Sequence, residues 1–183
     1  MAKPTLLVTG VHRDELGFGD RVAALMVPGL ELMRIPQGIP QPRRSPTNRF
    51  LSRTQHHELY LQLYQQVKGR YGLLIDLHQG LDEAGRSAEI FCHDPGFLAG
   101  LETRMEASGG KQGARLIHIA SPGDTSPVGD ASARTWIPQK LWCLDTPLYV
   151  GLEIYLPAPG DGEPEDWHYA AGLIGEIVAS VAG

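Results

Sequence analysis

The chain has 183 residues, 42% of them hydrophobic, which is enough for one buried core and close to the size of one domain. Sixteen Lys and Arg against 21 Asp and Glu give a net charge of -5, so the basic surplus that attracts nucleic acid or anionic membranes is missing. No apolar run approaches the roughly 20 residues of a membrane span, and the first residues do not resemble a signal peptide. We therefore predict one domain over 1–183 in a cytoplasmic protein, with no nucleic-acid or membrane partner and with homo-oligomerisation left open.

Short apolar runs alternate with helical patterns along the chain. The runs, which favour β-strands, begin at Leu6, Leu30, Gly72, Glu89, Ala114 and Leu148. Helical spacing predicts helices over about 17–26, 52–69, 96–107 and from 166 to the C-terminus, with a capping box formed by Ser52 and Gln55. Irregular loops are expected at 35–47 and 121–139. This alternation indicates a three-layer α/β/α sandwich around a mixed, mostly parallel sheet.

Residues of the types that bind metals follow two of the predicted strands. His12 and Glu15 form an H-x-x-E pair just after the first strand, and His78 ends the strand that begins at Gly72. In a parallel sheet these two strand ends lie at the same edge, where α/β folds place their ligand sites. Two histidines and a glutamate suit one zinc ion with a position left open for water. Asp76 shares a strand face with His78 and could hydrogen-bond a ligand histidine, or make only a local contact.

One acid interrupts the apolar strand that begins at Leu148. Burying an unpaired carboxylate is costly, so Glu153 faces either a polar site or a cationic partner, unless the strand lies at an edge open to solvent. Beside a metal it could take a proton from water and pass it to a leaving amine. Tyr149 and Tyr155 share its strand face, where they could contact substrate or pack in the core.

Three arginines gather in the Pro-rich segment of this acidic chain. Arg43, Arg44 and Arg49 could bind a developing oxyanion or a substrate carboxylate, with Asn48 as a further donor, or could form a solvated basic loop. Other histidines receive less weight. His56 is expected to be solvated on its helix, and His93 is a weaker alternative to His78 as a ligand.

Taken in order, these segments resemble the succinylglutamate desuccinylase/aspartoacylase branch of the zinc carboxypeptidase superfamily. That branch carries H-G-x-E, D-L-N-R-x-F and D-L-H motifs, followed by a late strand with one glutamate. The segments of this chain that resemble them are H-x-x-E at His12, Asn-Arg-Phe at 48–50, I-D-L-H ending at His78 and the strand of Glu153. The resemblance spans about residues 5–155 and implies the zinc carboxypeptidase-like fold.

The resemblance also implies roles for individual residues. His12, Glu15 and His78 match the ligands of one Zn²⁺, and Glu153 matches the general base that becomes a general acid. The pair that binds a substrate carboxylate is matched by Asn48 and Arg49. The arginine that polarises the scissile carbonyl would be Arg43 or Arg44. The expected partner is a small-molecule or short-peptide substrate.

The chain departs from the pattern of the branch in three places. Arg13 and Asp14 replace the glycine region of the first motif, and Pro46 and Thr47 replace Asp-Leu before Asn-Arg. The C-terminal β-rich domain of desuccinylases and aspartoacylases is not expected, because only 30 residues follow Glu153. Three functions therefore remain: a deacylase of N-acyl amino acids, a carboxypeptidase for short peptides, and a binding protein that keeps the fold without catalysis.

Overall fold

The computed structural model describes residues 3–26, 29–40, 46–110, 113–121, 129–143 and 146–182, and for 46–52 and 182 it describes the backbone alone. Seven strands form one sheet. They are β1 (Thr5–Thr9), β2 (Leu30–Arg34), β3 (Leu73–Leu81), β4 (Ser87–Cys92), β5 (Ala114–Ile119), β6 (Ala131–Ala133) and β7 (Leu148–Leu156). The helices are α1 (Leu16–Ala23), α2 (Pro46–Val67), α3 (Pro95–Ser108), α4 (Gln139–Trp142) and α5 (Pro164–Ala182).

The strands lie in the order β2-β1-β3-β7-β4-β5-β6. Strands β2, β1, β3 and β7 run parallel to one another, and the antiparallel pair is β7 with β4. Strands β5 and β6 continue parallel to β4. The predicted mixed, mostly parallel sheet is therefore confirmed, and three adjacent parallel strands, β1, β3 and β7, lie near its middle.

Helices cover both faces of the sheet, which confirms the three-layer sandwich. Alternation along β1 shows the two cores: Leu7 packs with residues of α1, α3 and α5, whereas Leu6 and Val8 pack with residues of α2 and α4. Burial of both faces explains why the strands are continuous apolar runs. Within the described residues, no helix has the length and hydropathy needed to cross a membrane.

The boundaries differ from the sequence prediction mainly around α2. This helix begins at Pro46 rather than at Ser52, so the predicted capping box lies inside the helix. Proline suits the first helical position because its ring fixes φ and the missing N–H would have had no partner there. The segment 121–139 also contains β6 and leads into α4, elements of three and four residues that are too short to show a hydrophobic period.

A short segment after β2 supports the backbone that leads to His12. Ile39 forms a parallel bridge with His12, and its N–H donates to the carbonyl of Val11 over 2.8 Å. Gly38 packs so closely here that a Cβ at its position would overlap the carbonyl oxygen of Gly10. Glycine is therefore required at this position.

We expect Gly38→Ala to lower the free energy of unfolding by about 1–3 kcal/mol, because the added carbon must displace backbone. Urea denaturation followed by circular dichroism measures this. Gly100→Ala in α3 is the matched control: a Cβ there meets no atom within 4 Å, and the change should stabilise the helix by up to about 1 kcal/mol. Equal stability of the Gly38→Ala variant and the wild type would contradict the proposed packing constraint.

Candidate metal centre and active site

A 3-10 turn brings His12 and Glu15 together. The turn covers Arg13–Glu15 and is separated from the end of β1 by three residues, the last of which, His12, is its extended N-terminal cap. Because a 3-10 helix has three residues per turn, side chains at i and i+3 lie on one side. Nδ1 of His12 lies 2.6 Å from Oε1 of Glu15, and Glu15 is only 4% exposed.

The third member of the group comes from β3. Because β1 and β3 are parallel, their carboxyl ends meet, and Nδ1 of His78 lies 3.0 Å from Oε2 of Glu15. One ligand atom from each of His12, Glu15 and His78 lies within 4.8 Å of the other two, so the group could hold a metal ion. Two imidazole nitrogens and a carboxylate are the donors that zinc takes when it keeps a position open.

The fully buried carboxylate of Asp76 contacts the second ring nitrogen of His78. Oδ2 of Asp76 lies 3.2 Å from Nε2 of His78 and accepts hydrogen bonds from the hydroxyls of Tyr60 (2.7 Å) and Tyr149 (2.8 Å). Burial opposes ionisation of Asp76, but the charge and hydrogen bond of His78 and the two tyrosine donors hold its pKa below the usual value. The hydroxyl of Tyr149, a residue predicted to contact substrate or to pack in the core, is thus directed at Asp76.

The two carboxylates determine the protonation of His78 in the ion-free protein. Burial lowers the pKa of His78, but Asp76 and Glu15 outweigh burial and raise it well above 6.5. Burial likewise raises the pKa of Glu15, but its hydrogen bonds to His12 and His78 bring that pKa below 4.5. A protonated His78 therefore lies between two carboxylates, in the place where a metal ion would replace its proton.

Glu153 lies beside this group on the neighbouring parallel strand. It is the register partner of His78, and it lines both cavities at the site. Burial raises its pKa to about 7 against the opposing charge of His78. Gly80 leaves room for this side chain, since a Cβ there would lie 3.0 Å from Oε1 of Glu153. Tyr155, predicted to contact substrate, donates its hydroxyl to Glu89 over 3.1 Å.

Two cavities open beside His12 and Glu153. The larger, of about 910 Å³, is lined by His12, Glu15 and Glu153 together with Arg53 and Trp136. The guanidinium of Arg53 lies over the Trp136 ring, 3.9 Å from its centroid, and Trp136 is 66% exposed. The smaller cavity, of about 240 Å³, reaches from Glu153 and His78 toward Phe91, Ile119 and Ile137.

Helix α2 contributes residues that the sequence interpretation missed. The prediction of a solvated His56 is wrong: its Nε2 lies 2.7 Å from Nε2 of His12, and burial together with the neighbouring histidines lowers its pKa to about 4. Arg53, His56 and Tyr60 are spaced by three and four residues, the spacing of one helix face. The spacing alone predicts that these three side chains share one face of the helix. It does not show that this face meets His12.

The predicted arginine cluster lies largely outside what the structure describes. Arg43 and Arg44 are outside the described residues. Asn48 and Arg49 belong to the first turn of α2, and their side chains are likewise not described. The weaker ligand candidate, His93, is directed elsewhere, because its Nδ1 lies 2.9 Å from the carbonyl oxygen of Ile119.

Comparison with known proteins finds similarity in structure only. No family profile matches the sequence, and no curated protein does either. A mutant of murine aminoacylase 3 superposes with a TM-score of 0.57 at 12% identity, over 98% of this chain and 64% of that one. Succinylglutamate desuccinylase from Vibrio parahaemolyticus gives 0.51 at 11% identity, over 97% and 66% of the two chains.

The catalytic domain of CwlV, an N-acetylmuramoyl-L-alanine amidase from Bacillus (Paenibacillus) polymyxa, gives a TM-score of 0.51 at 10% identity and covers 98% of each chain. This chain therefore spans slightly less than two thirds of the aminoacylase and desuccinylase chains and nearly all of the amidase domain. At these identities the likeness concerns the fold. The predicted resemblance is confirmed at that level: the chain shares the α/β fold of aminoacylase 3 and succinylglutamate desuccinylase.

Proposed function

We propose that the protein is a zinc-dependent hydrolase that cleaves an amide bond in a small substrate bearing a carboxylate. The observation that carries the proposal is the His12, Glu15 and His78 group with Glu153 beside it in register on the next strand. The fold supports it, since the similar structures include an aminoacylase, a desuccinylase and an amidase. Metal ligands alone would suit a binding protein, but an adjacent acid with a pKa of about 7 favours catalysis.

The ligand group fits zinc by its donor types and its closeness. When bound, zinc supplies Lewis acidity that activates water and polarises a carbonyl. Glu153 takes a proton from the attacking water as the oxygen adds to the carbonyl carbon. The same carboxyl then gives that proton to the amine nitrogen as the C–N bond breaks. Burial raises the pKa of Glu153 to about 7 before a metal ion binds, and this upward shift favours a carboxyl that returns the proton after taking it.

Cationic side chains are proposed to hold the substrate. Arg43 or Arg44 polarises the carbonyl, and Asn48 and Arg49 bind the carboxylate, as the family resemblance implies. Arg53 lies one helical turn after Arg49 and lines the larger cavity, where its guanidinium adds a second group able to bind a carboxylate by two hydrogen bonds. The larger cavity is therefore proposed to receive the carboxylate-bearing part of the substrate.

A carboxypeptidase acting on short peptides is the second candidate. The smaller cavity favours it, because it begins at His78 and Glu153 and continues between apolar side chains. A cavity of about 240 Å³ lined in this way suits an apolar residue next to the cleaved bond. The same cavity could hold the side chain of an N-acyl amino acid, so substrates must separate the two activities.

Glu153→Gln should lower kcat by about 10²–10⁴-fold, because the amide cannot take the proton from water. Zinc content and zinc affinity should stay close to those of the wild type. Activity assays together with metal analysis measure both. Full activity in the metal-loaded variant would contradict the role of Glu153 as the base.

The matched control for this substitution is Glu89→Gln. Glu89 is the antiparallel register partner of Glu153, but its oxygens accept from Arg115 and Tyr155. We expect its kcat to remain within a few-fold of wild type. An equal loss in both variants would mean that removal of any carboxylate from this part of the sheet impairs the protein.

A panel of N-acyl amino acids and dipeptides, each with a free or an amidated carboxylate, tests the substrate class. We expect cleavage of N-acyl amino acids with a free carboxylate, and a kcat/KM at least about tenfold lower after amidation, because a charged hydrogen bond is lost. Product analysis by mass spectrometry measures this. Cleavage of peptides alone would favour the carboxypeptidase, and indifference to amidation would contradict carboxylate recognition.

Zinc affinity should rise by up to about tenfold per pH unit over the range in which zinc must displace one proton from the site. The reason is that the raised pKa of His78 keeps it protonated near neutral pH in the ion-free protein. Competition titrations between pH 5.5 and 8.5 measure the affinity, and calorimetry in buffers of different ionisation enthalpy counts the released protons. A dissociation constant that does not change over this range would contradict the assigned proton displacement.

A further inference from the structure

The imidazole of His12 is held at both of its nitrogens. Nδ1 lies 2.6 Å from Glu15, within the group that could hold a metal ion, and Nε2 lies 2.7 Å from Nε2 of His56. The His12 and His56 ring centroids are 4.9 Å apart and the rings are tilted by 32°, so the two rings meet at their nitrogen edges rather than by stacking. The side chain of His12 is only 19% exposed, which limits competition from water.

A neutral imidazole carries one ring hydrogen, and the position of that hydrogen determines which ring donates in the contact between His12 and His56. A metal ion bound at Nδ1 of His12 uses the lone pair of that nitrogen, so the single ring hydrogen must lie on Nε2. Two nitrogens 2.7 Å apart require one donor and one acceptor. His56 must then accept at Nε2 and carry its own hydrogen on Nδ1.

From this geometry we propose that His56 is a positioning residue: it accepts the Nε2–H of His12 and thereby fixes the tautomer and ring orientation in which Nδ1 of His12 binds the metal ion. The inference rests on the proposed metal-dependent function. His56 lines both cavities but is not one of the three candidate ligand residues, and its proposed role is exerted through His12.

The two ligand histidines therefore have different outer partners, His56 of α2 for His12 and Asp76 of β3 for His78, and one face of α2 contacts both arrangements. Nε2 of His78 meets the carboxylate of Asp76, which Tyr60 supports with a hydrogen bond of 2.7 Å. Nε2 of His12 meets His56, one helical turn before Tyr60. His56 and Tyr60 also contact each other edge to face at 5.7 Å between centroids. A single helix, α2, thus orients both ligand rings, one directly and one through Asp76.

Nitrogen NMR of the 183-residue chain labelled with ¹⁵N-histidine and loaded with ¹¹³Cd²⁺ tests the assignment without any substitution. We expect ¹¹³Cd–¹⁵N coupling at Nδ1 of His12 and a slowly exchanging hydrogen on its Nε2. Coupling at Nε2, or an Nε2 without hydrogen, would overturn the proposal. Failure of the wild type to bind either zinc or cadmium would instead overturn the proposed function, on which this inference rests.

Zinc affinity of variants supplies the second test. His56→Leu removes the acceptor and should weaken zinc binding by roughly 10–100-fold. His56→Gln keeps an acceptor oxygen at similar reach and should remain within a few-fold of the wild type. The matched control is His57→Leu, at the adjacent exposed position of α2, which should leave zinc affinity unchanged.

Circular dichroism and the melting temperature show whether each variant folds. Equal zinc affinity of folded His56→Leu and wild type would overturn the proposal while leaving the proposed function intact. If His56→Leu does not fold, the comparison of His56→Gln with wild type and the NMR measurement decide. A folded His56→Gln variant that binds zinc roughly 10–100-fold more weakly than the wild type would also overturn the acceptor role of His56.

Discussion

The parallel register of β1, β3 and β7 is the constraint on which the candidate site depends. Thr9, at the end of β1, pairs with Leu77, so the turn that carries His12 and Glu15 begins where β3 presents His78. The next pairing aligns His78 with Glu153. A slip of one residue in either pair would move the side chains of one strand to the opposite face of the sheet. The apolar residues that alternate on both faces specify this register, so the packing of the core also positions the chemical groups.

Helix α2 completes the site from one face of the sheet. Its residues Leu63 and Val67 pack in the same core as Leu6 and Val8 of β1, which fixes the helix against the strands. The preceding turns then bring Tyr60 to Asp76 and His56 to His12. Arg53 lies on the same face, one turn before His56, where it lines the larger cavity. Packing at one end of the helix therefore determines where its polar end meets His12 and Asp76.

Much of this arrangement follows from local sequence patterns, and the remainder depends on long-range contacts. Apolar runs and their spacing predict six of the strands, and the ends of two strands predict the meeting of His12, Glu15 and His78. Helical periodicity cannot determine how a helix is rotated on the sheet, so His56 reads as a solvated residue although it contacts His12. Similarly, the strand pattern places Tyr149 on the face of Glu153, but only the three-dimensional structure shows that its hydroxyl donates to Asp76.

The balance of charge explains why this pocket suits a divalent cation. Glu15 and Asp76 are buried and keep pKa values below the usual ones, so both are ionised at neutral pH. Glu153 adds a third carboxyl, whose pKa of about 7 reflects its burial and the charge of Glu15 nearby. The proton on His78 compensates only one of these charges. A divalent ion at His12, Glu15 and His78 would provide more compensation and would favour ionised Glu153, so the acids that form the site also favour a bound cation.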